Sequence, residues 1–246
     1  MRDQAEAREA VILCGGLGTR LSGVVTDRPK SMVEVHGRPF LEWLLLRLAQ
    51  RDGVRHVILA TGHLAEVIEN HFGYQPWCGV NLSYSREVEP LGTGGALRLA
   101  ASLTKSSHLL VLNGDTYCRY DLRRLVEVHL RNSAAGTLWL CRLIDGTRFG
   151  RVAIDGKGRI RGFREKAGAE DGQLVNAGVY LLRREVIATI PPDQPVSLES
   201  EVFPSLVGKG LYGVEGSVPF VDIGTPETLY SASGALAAEL DRLNCD

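Results

Sequence analysis

Short continuous apolar runs alternate along the first half of the chain with segments whose apolar residues recur every three to four positions. Ala10 to Cys14, Val57–Ala60 and Leu109–Leu112 are apolar stretches of strand length that end near turn residues, the pattern of strands buried on both faces. Between them Phe40, Leu41, Leu44, Leu45 and Leu48 trace one face of a helix, and the same spacing predicts helices over Leu64–Phe72, Ala96–Leu103 and Leu122–Leu130. This alternation predicts an α/β fold with parallel central strands. After about residue 136 the long helices disappear, and Thr137–Leu143, Gly150–Ile154, Arg159–Phe163 and Leu174–Leu182 read as strands, with Asp155-Gly156-Lys157-Gly158 as a hairpin turn. Helical patterns return over Glu199–Leu206 and Pro226–Leu243, the second an amphipathic closing helix. No repeat, low-complexity tract or linker interrupts the chain, so residues 1–246 are expected to form one domain with an insertion-like second half.

Charge and cysteine content narrow the function classes. Lys and Arg total 28 against 29 Asp and Glu, a formal net charge of -1, so no bulk positive field is available to hold a nucleic acid. Any anion must be gripped locally. No apolar run approaches the roughly 18–20 residues that span a bilayer, and the N-terminus lacks the basic and apolar regions of a secretory signal, so a cytoplasmic protein with no membrane partner is expected. The five cysteines, Cys14, Cys78, Cys118, Cys141 and Cys245, are scattered and contain no CxxC pair, which predicts reduced thiols.

Local anion grip has an obvious candidate after the first strand. Leu13, Gly15, Gly16, Gly18, Thr19 and Arg20 belong to a glycine-rich turn that can expose backbone amides to a phosphate, or simply turn the chain. It lacks the GK[ST] ending of a P-loop, and Leu21 stands where a dinucleotide fingerprint needs a small residue. Arg28, Pro29 and Lys30 follow, adding a fork and a point charge suited to a triphosphate, or a solvated basic loop. Asp115 directly follows an apolar strand, where open α/β sheets collect ligands, and Asp222 follows Phe220-Val221 in the same way. Two such carboxylates suit a magnesium ion completed by phosphate oxygens and water; turn and cap roles are the alternative. Asp115 is followed by Thr116 and Tyr117, so the D-x-D metal motif of many glycosyltransferases is absent.

Gly15-Gly16-Leu17-Gly18-Thr19-Arg20-Leu21 with Pro29-Lys30-Ser31-Met32 resembles the signature of the sugar-1-phosphate nucleotidylyltransferases. Later blocks resemble that family in its order: Glu89 to Ala96, Leu112-Asn113-Gly114-Asp115, Arg164-Glu165-Lys166, Asn176 to Tyr180 and Val221 to Pro226, so the likeness covers about residues 10–230. It implies a Rossmann-like mixed, mainly parallel sheet flanked by helices, with a strand-rich sugar-binding lobe. About residues 10–135 would bind the nucleotide, about 136–230 the sugar phosphate, and 226–246 would form the closing helix.

The resemblance also implies residue roles. Arg20, Lys30 and Lys166 would carry the catalytic charge, and Mg2+ would sit on Asp115 and Asp222. Leu13, the glycine turn, Glu87, Gly92, Thr93, Asn113 and Gly114 would hold the nucleotide, and Glu165, Lys166, Asn176 and Gly178 the sugar phosphate. The loop Gly92-Thr93-Gly94-Gly95 would lie over the base, its missing Cβ atoms permitting close approach, with Thr93 as a helix cap. Glu87 would face the base edge. A carboxylate accepts from the adjacent N1–H and N2–H2 of guanine, whereas uracil and thymine turn acceptors toward it, so GTP is expected. Within the family, the compact length and the Glu-Pro-Leu-Gly-Thr-Gly-Gly-Ala block most resemble enzymes that make GDP-heptose for surface glycans from D-glycero-α-D-manno-heptose 1-phosphate. Mannose 1-phosphate with GTP, and glucose 1-phosphate with UTP or dTTP, are the nearest alternatives. A non-catalytic nucleotide-sugar-binding regulator and a glycosyltransferase stand further off. A homodimer through the strand-rich half or the closing helix is left open.

Overall fold

The computed structural model describes residues 8–16, 26–143, 150–164, 173–216 and 219–243. In the first half these form β1 (Glu9–Leu13), a 3-10 turn at Lys30–Met32, β2 (Glu34–Val35), β3 (Arg38–Pro39), α1 (Phe40–Gln50), β4 (His56–Thr61), α2 (Ala65–Phe72), β5 (Asn81–Arg86), α3 (Gly92–Ala100), β6 (His108–Asn113), β7 (Thr116–Cys118) and α4 (Leu122–Arg131). The second half contributes β8 (Gly136–Leu143), β9 (Arg151–Ile154), β10 (Ile160–Arg164), β11 (Gln173–Arg183), α5 (Arg184–Ala188), a π-helical turn (Leu198–Val202), α6 (Phe203–Leu206), β12 (Leu211–Gly216), β13 (Phe220–Asp222) and α7 (Pro226–Leu240).

A nine-stranded mixed sheet runs through both halves. Its spine follows the order β10-β9-β11-β6-β1-β4-β5, with β8 paired to β11 and β12 paired to β8. The strands β5, β4, β1 and β6 are all parallel, so their carboxyl ends share one edge. Chain order moves from β1 to β4 and β5 on one side, then returns to β6 on the other, which makes the gap between β1 and β6 a topological switch point where α/β sheets bind ligands. Beside β6 lies the antiparallel β11, with Val179 opposite Leu112.

Side chains of the central strands alternate between two cores. Ala10, Ile12, Val57, Leu59, Leu110 and Leu112 pack on one face with the buried aromatic and leucine side chains of α1. Val11, Ile58, Ala60, Leu109 and Val111 pack on the other, against Leu97 and Ala100 of α3. Burial on both faces is why these strands read as unbroken apolar runs. The hairpin at Asp155–Gly158 joins β9 to β10, with Gly158 N–H donating to the Asp155 carbonyl at 2.9 Å. Cys14, Cys118 and Cys141 are free thiols; Cys245 lies outside the described residues. Among the described residues no helix is long and apolar enough to cross a membrane.

Candidate active site

At the carboxyl edge of β1, β4, β5 and β6 the chain encloses a cavity of about 750 Å3. Leu13, Gly15 and Gly16 line it from β1, Gly62 and His63 from β4, Glu87 from β5, Gly92 and Thr93 from α3, and Asn113, Gly114 and Asp115 from β6. Lys30 and Ser31 close one wall.

Short-range devices bring the two aspartates together. Asp115 leaves β6 immediately before β7, and β7 pairs antiparallel with β13 so that Thr116 stands opposite Asp222. Ile223 N–H donates to the Asp115 carbonyl at 3.0 Å, locking the two turns side by side. Beyond them Thr225 caps α7, accepting from Thr228 N–H, with Pro226 opening the helix, so the chain leaves the site at a sharp, satisfied corner. Asp222 Oδ1 accepts from Gly224 N–H at 2.9 Å, which leaves Oδ2 pointing inward. Lys30 Nζ meets Asp115 Oδ2 at 2.6 Å and lies 4.0 Å from Asp222 Oδ2. The carboxylates therefore share one cation. This donor set fits a hard divalent ion: two carboxylate oxygens face one point, and among the described residues no third acid, histidine or cysteine joins them, which leaves positions for phosphate oxygens and water.

Glu87, after β5, also lines the cavity. Its Oε2 accepts from Leu91 N–H at 3.0 Å. Its Oε1 lies so close to the neighbouring glycines that a methyl on Gly62 would come within 2.7 Å of it and one on Gly15 within 3.1 Å. Burial lifts the Glu87 carboxyl above the usual carboxylate range. Cys14 also lines the cavity, but burial, reinforced by the Glu87 charge, pushes its thiol up to about 12, so it remains protonated and is no nucleophile. Two buried polar atoms on the cavity wall, Ser31 Oγ and Asn113 Oδ1, have no partner among the described residues.

The glycines of α3 pack closely against a neighbouring segment of the chain. A Cβ on Gly92 would sit 2.6 Å from the Val196 carbonyl oxygen, and one on Gly95 2.6 Å from that of Gln194. Gly92 also has φ +66. The bare turn lets segment 194–196 pack against the helix start, where Val196 O accepts from Gly94 N–H at 2.8 Å. Thr93 is the second residue of α3, not its cap; Leu91 holds that position. Its hydroxyl donates to Glu199 Oε2 at 2.6 Å and accepts from Leu198 N–H at 2.8 Å.

Asn176 and Gly178 do not line the cavity formed by the described residues. Asn176 Nδ2 donates to the Tyr180 hydroxyl at 2.9 Å, and Oδ1 accepts from Gly178 N–H at 3.1 Å. Gly178, at φ +71, presses its Cα face toward the Asn113 side chain. The Tyr180 hydroxyl lies 3.4 Å from Glu199 Oε1, so a polar chain runs from Asn176 to Thr93. Glu199 escaped the sequence reading because an acid in a predicted helix reads as a solvated face. Gly62 carried a legible signal, a glycine directly after an apolar strand. Gly18, Thr19, Arg20, Glu165 and Lys166 lie outside the described residues.

A mixed α/β sheet with a nucleotide-sized cavity over its switch point, flanked by two aspartates and a lysine, defines a nucleotide-binding class of fold. Residues 9–239 match the family described as Nucleotidyl transferase, and the chain belongs to it. It is 39% identical over 231 residues to the mannose-1-phosphate guanylyltransferase of Mycobacterium tuberculosis, matching 93% of this chain but spanning only 64% of that protein. It is 36% identical over 229 residues to the D-glycero-alpha-D-manno-heptose 1-phosphate guanylyltransferase of Aneurinibacillus thermoaerophilus, matching 93% of this chain and 98% of that one. The crystal structure of HddC from Yersinia pseudotuberculosis superposes with a TM-score of 0.81 at 33% identity, covering 92% of this chain and 98% of that chain. The same protein complexed with GMP-PN gives 0.79 at 32% identity over the same shares.

Proposed function

We propose that this nucleotidyltransferase moves a guanylyl group from GTP to D-glycero-α-D-manno-heptose 1-phosphate, giving GDP-heptose and pyrophosphate. The observation that carries the reading is the Asp115–Lys30–Asp222 constellation beside a cavity that Glu87 also lines. Heptose follows a 36%-identical relative named as a heptose 1-phosphate guanylyltransferase, and mannose 1-phosphate, after a 39%-identical relative, is the alternative substrate.

A phosphate oxygen of the sugar 1-phosphate attacks the α-phosphorus of GTP. The new P–O bond forms as the bond to the β-phosphate breaks and pyrophosphate leaves. The nucleophile is already anionic, so no general base is required; the task is to align two anions and neutralise their charge. Lys30 serves the nucleotide phosphates, Arg20 the leaving pyrophosphate and Lys166, with Glu165, the sugar phosphate. Asp115 and Asp222 hold Mg2+, which when bound supplies positive charge at the reacting phosphates. Leu13, Gly15, Gly16, Gly18, Thr19, Gly92, Thr93, Asn113 and Gly114 shape the nucleotide side, within residues 10–135. Asn176, its hydrogen bonds already committed, holds Gly178 against Asn113 and so shapes the boundary with the sugar side, within 136–230. The reaction belongs to the cytoplasm and involves neither nucleic acid nor membrane; a homodimer is compatible with it.

The test is a pyrophosphate-release panel with Mg2+, four NTPs and the heptose, mannose and glucose 1-phosphates. GTP with heptose 1-phosphate is expected to give the highest kcat/KM. Nucleotide binding without release across the whole panel indicates a regulator, and nucleoside diphosphate released from a nucleotide sugar indicates a glycosyltransferase; either outcome overturns the proposal.

A further inference from the structure

We infer that Lys30 is the resident cation of the Asp115–Asp222 pair, and that a nucleotide triphosphate must draw its ammonium away before a divalent ion binds there. The inference rests on the metal role proposed for those two aspartates. The ammonium lies 2.6 Å from Asp115 Oδ2 and 4.0 Å from Asp222 Oδ2. These are the inward-facing oxygens, because Asp222 Oδ1 takes Gly224 N–H and Asp115 Oδ1 takes the Thr116 hydroxyl at 3.2 Å. A magnesium ion needs such oxygens at about 2.0–2.1 Å, and an ammonium in hydrogen-bond contact with one of them occupies the same ground.

Shielding gives the occupancy its weight. The Lys30 and Asp222 side chains are 11% and 9% exposed, so their mutual attraction is poorly screened by water. The Asp115 side chain is more open, at 34%; two carboxylates that close to one point repel, and the lysine between them lessens that repulsion. Lys30 also lines the cavity, and its flexible stem carries a point charge that can exchange carboxylate for phosphate oxygens. Arrival of a triphosphate therefore does two things: it gives the ammonium a new anion and it withdraws that ammonium from the two carboxylates. Nucleotide and metal are linked by that exchange, and each strengthens binding of the other by the same factor.

The probe is Mn2+, titrated without nucleotide into the full-length wild type, Lys30→Met, Lys30→Gln and the Lys30→Met/Asp115→Asn double variant. Bound ion is counted by loss of the free-ion electron paramagnetic resonance signal, with folding checked by circular dichroism. Both single variants should bind Mn2+ at least tenfold more tightly than the wild type, and the double variant should lose the gain. GTP affinity measured calorimetrically in EDTA should fall at least tenfold in both single variants. Mn2+ affinity equal in the wild type and the single variants but lost in the double variant overturns Lys30 as resident cation and leaves the metal reading standing. No Mn2+ binding by any of the four proteins overturns both. Unchanged GTP affinity in EDTA overturns the transfer of the ammonium to the phosphates.

Discussion

Replacing Glu87 by Gln should weaken the preference for guanine, and the geometry around Leu91 says why. Leu91 N–H donates to Glu87 Oε2 at 3.0 Å, and only an oxygen can accept it. A glutamine at 87 must therefore turn its carbonyl oxygen toward Leu91 and its NH2 into the position of Oε1, the corner beside Gly15 and Gly62. Guanine would bring its N1–H and N2–H2 against that NH2, donor facing donor, whereas uracil would bring an acceptor. Leaving a buried donor unpaired costs about 1–3 kcal/mol, or roughly 5- to 150-fold in kcat/KM. The GTP:UTP ratio of kcat/KM, read by pyrophosphate release in direct competition, should fall at least tenfold in Glu87→Gln. An unchanged ratio, or equal losses for both nucleotides, refutes the reasoning.

The same carboxylate makes a pH prediction of defined sign. Burial raises the Glu87 pKa, so the carboxyl takes up a proton at higher pH than an ordinary glutamate. Protonation adds a donor where guanine needs an acceptor, so the GTP preference should be intact above that raised pKa and fade as pH falls through it. For stability the sign is opposite: a raised folded-state pKa means that Glu87 favours the fold at low pH and opposes it once ionised. Glu87→Gln should consequently fold at least as well as the wild type at neutral pH, which separates lost selectivity from lost structure.

Three further expectations test the site and its scaffold. Asp222→Asn keeps the oxygen that accepts from Gly224 N–H but removes the charge facing Lys30, so Mg2+-dependent pyrophosphate release should fall by about 10^2–10^3 with an unchanged circular dichroism spectrum; full activity would remove Asp222 from the reaction. Gly92→Ala forces a methyl to 2.6 Å from Val196 O at φ +66 and should lower thermal stability by about 1–3 kcal/mol, whereas Gly234→Ala in α7, where a Cβ meets nothing within 4 Å, should raise it by roughly 0.5–1 kcal/mol. Glu9 should support acid stability: burial pushes its carboxyl up, but hydrogen bonds from Ser106, Lys105 and His56 outweigh burial and lower it from 4.5 to about 2. Its contribution is present above 4.5 and lost as pH falls through 2, so Glu9→Gln should cost about 1–3 kcal/mol in urea unfolding at pH 7 and show a flatter decline below pH 4.5.

What the sequence disclosed and withheld follows from the range of the interactions involved. The strands β1, β4 and β6 were legible because burial on both faces demands an unbroken apolar run, and the ends of those runs pointed directly at Gly15 and Asp115. The edge strand β5, Asn81–Arg86, is polar at alternate positions and left no such run. The strands β7 and β13 have three residues each, too few for any period to register, yet their ladder sets Asp222 beside Thr116. The glycines of α3 were visible, but their reason was not: bareness looks the same whether a base or the backbone of residues 194–196 lies opposite. Likewise nothing near Glu199 in sequence announces Thr93, and only the packing of the π-helical turn on α3 joins them.

These long-range contacts share a consequence for how the site comes into being. The parallel strands alone supply Gly15, Gly16, Glu87 and Asp115 to the cavity, only one of the two aspartates that meet Lys30. Asp222 arrives only when β13 pairs with β7, and Gly178 meets Asn113 only when β11 pairs with β6. Thr93, on the cavity wall, is itself fixed by Glu199 from the second half. The second carboxylate and the Gly178–Asn113 contact are thus built by the later half of the chain docking on the earlier one. It follows that cutting the chain between α4 and β8 should leave the first half without the acidic pair even if it kept its strands. Mixing the separate halves should restore Mn2+ binding to the Lys30→Met protein only if β11 and β13 re-form their ladders. Binding by the first half alone would show that Asp115 needs no partner and that the convergence of the two aspartates is incidental.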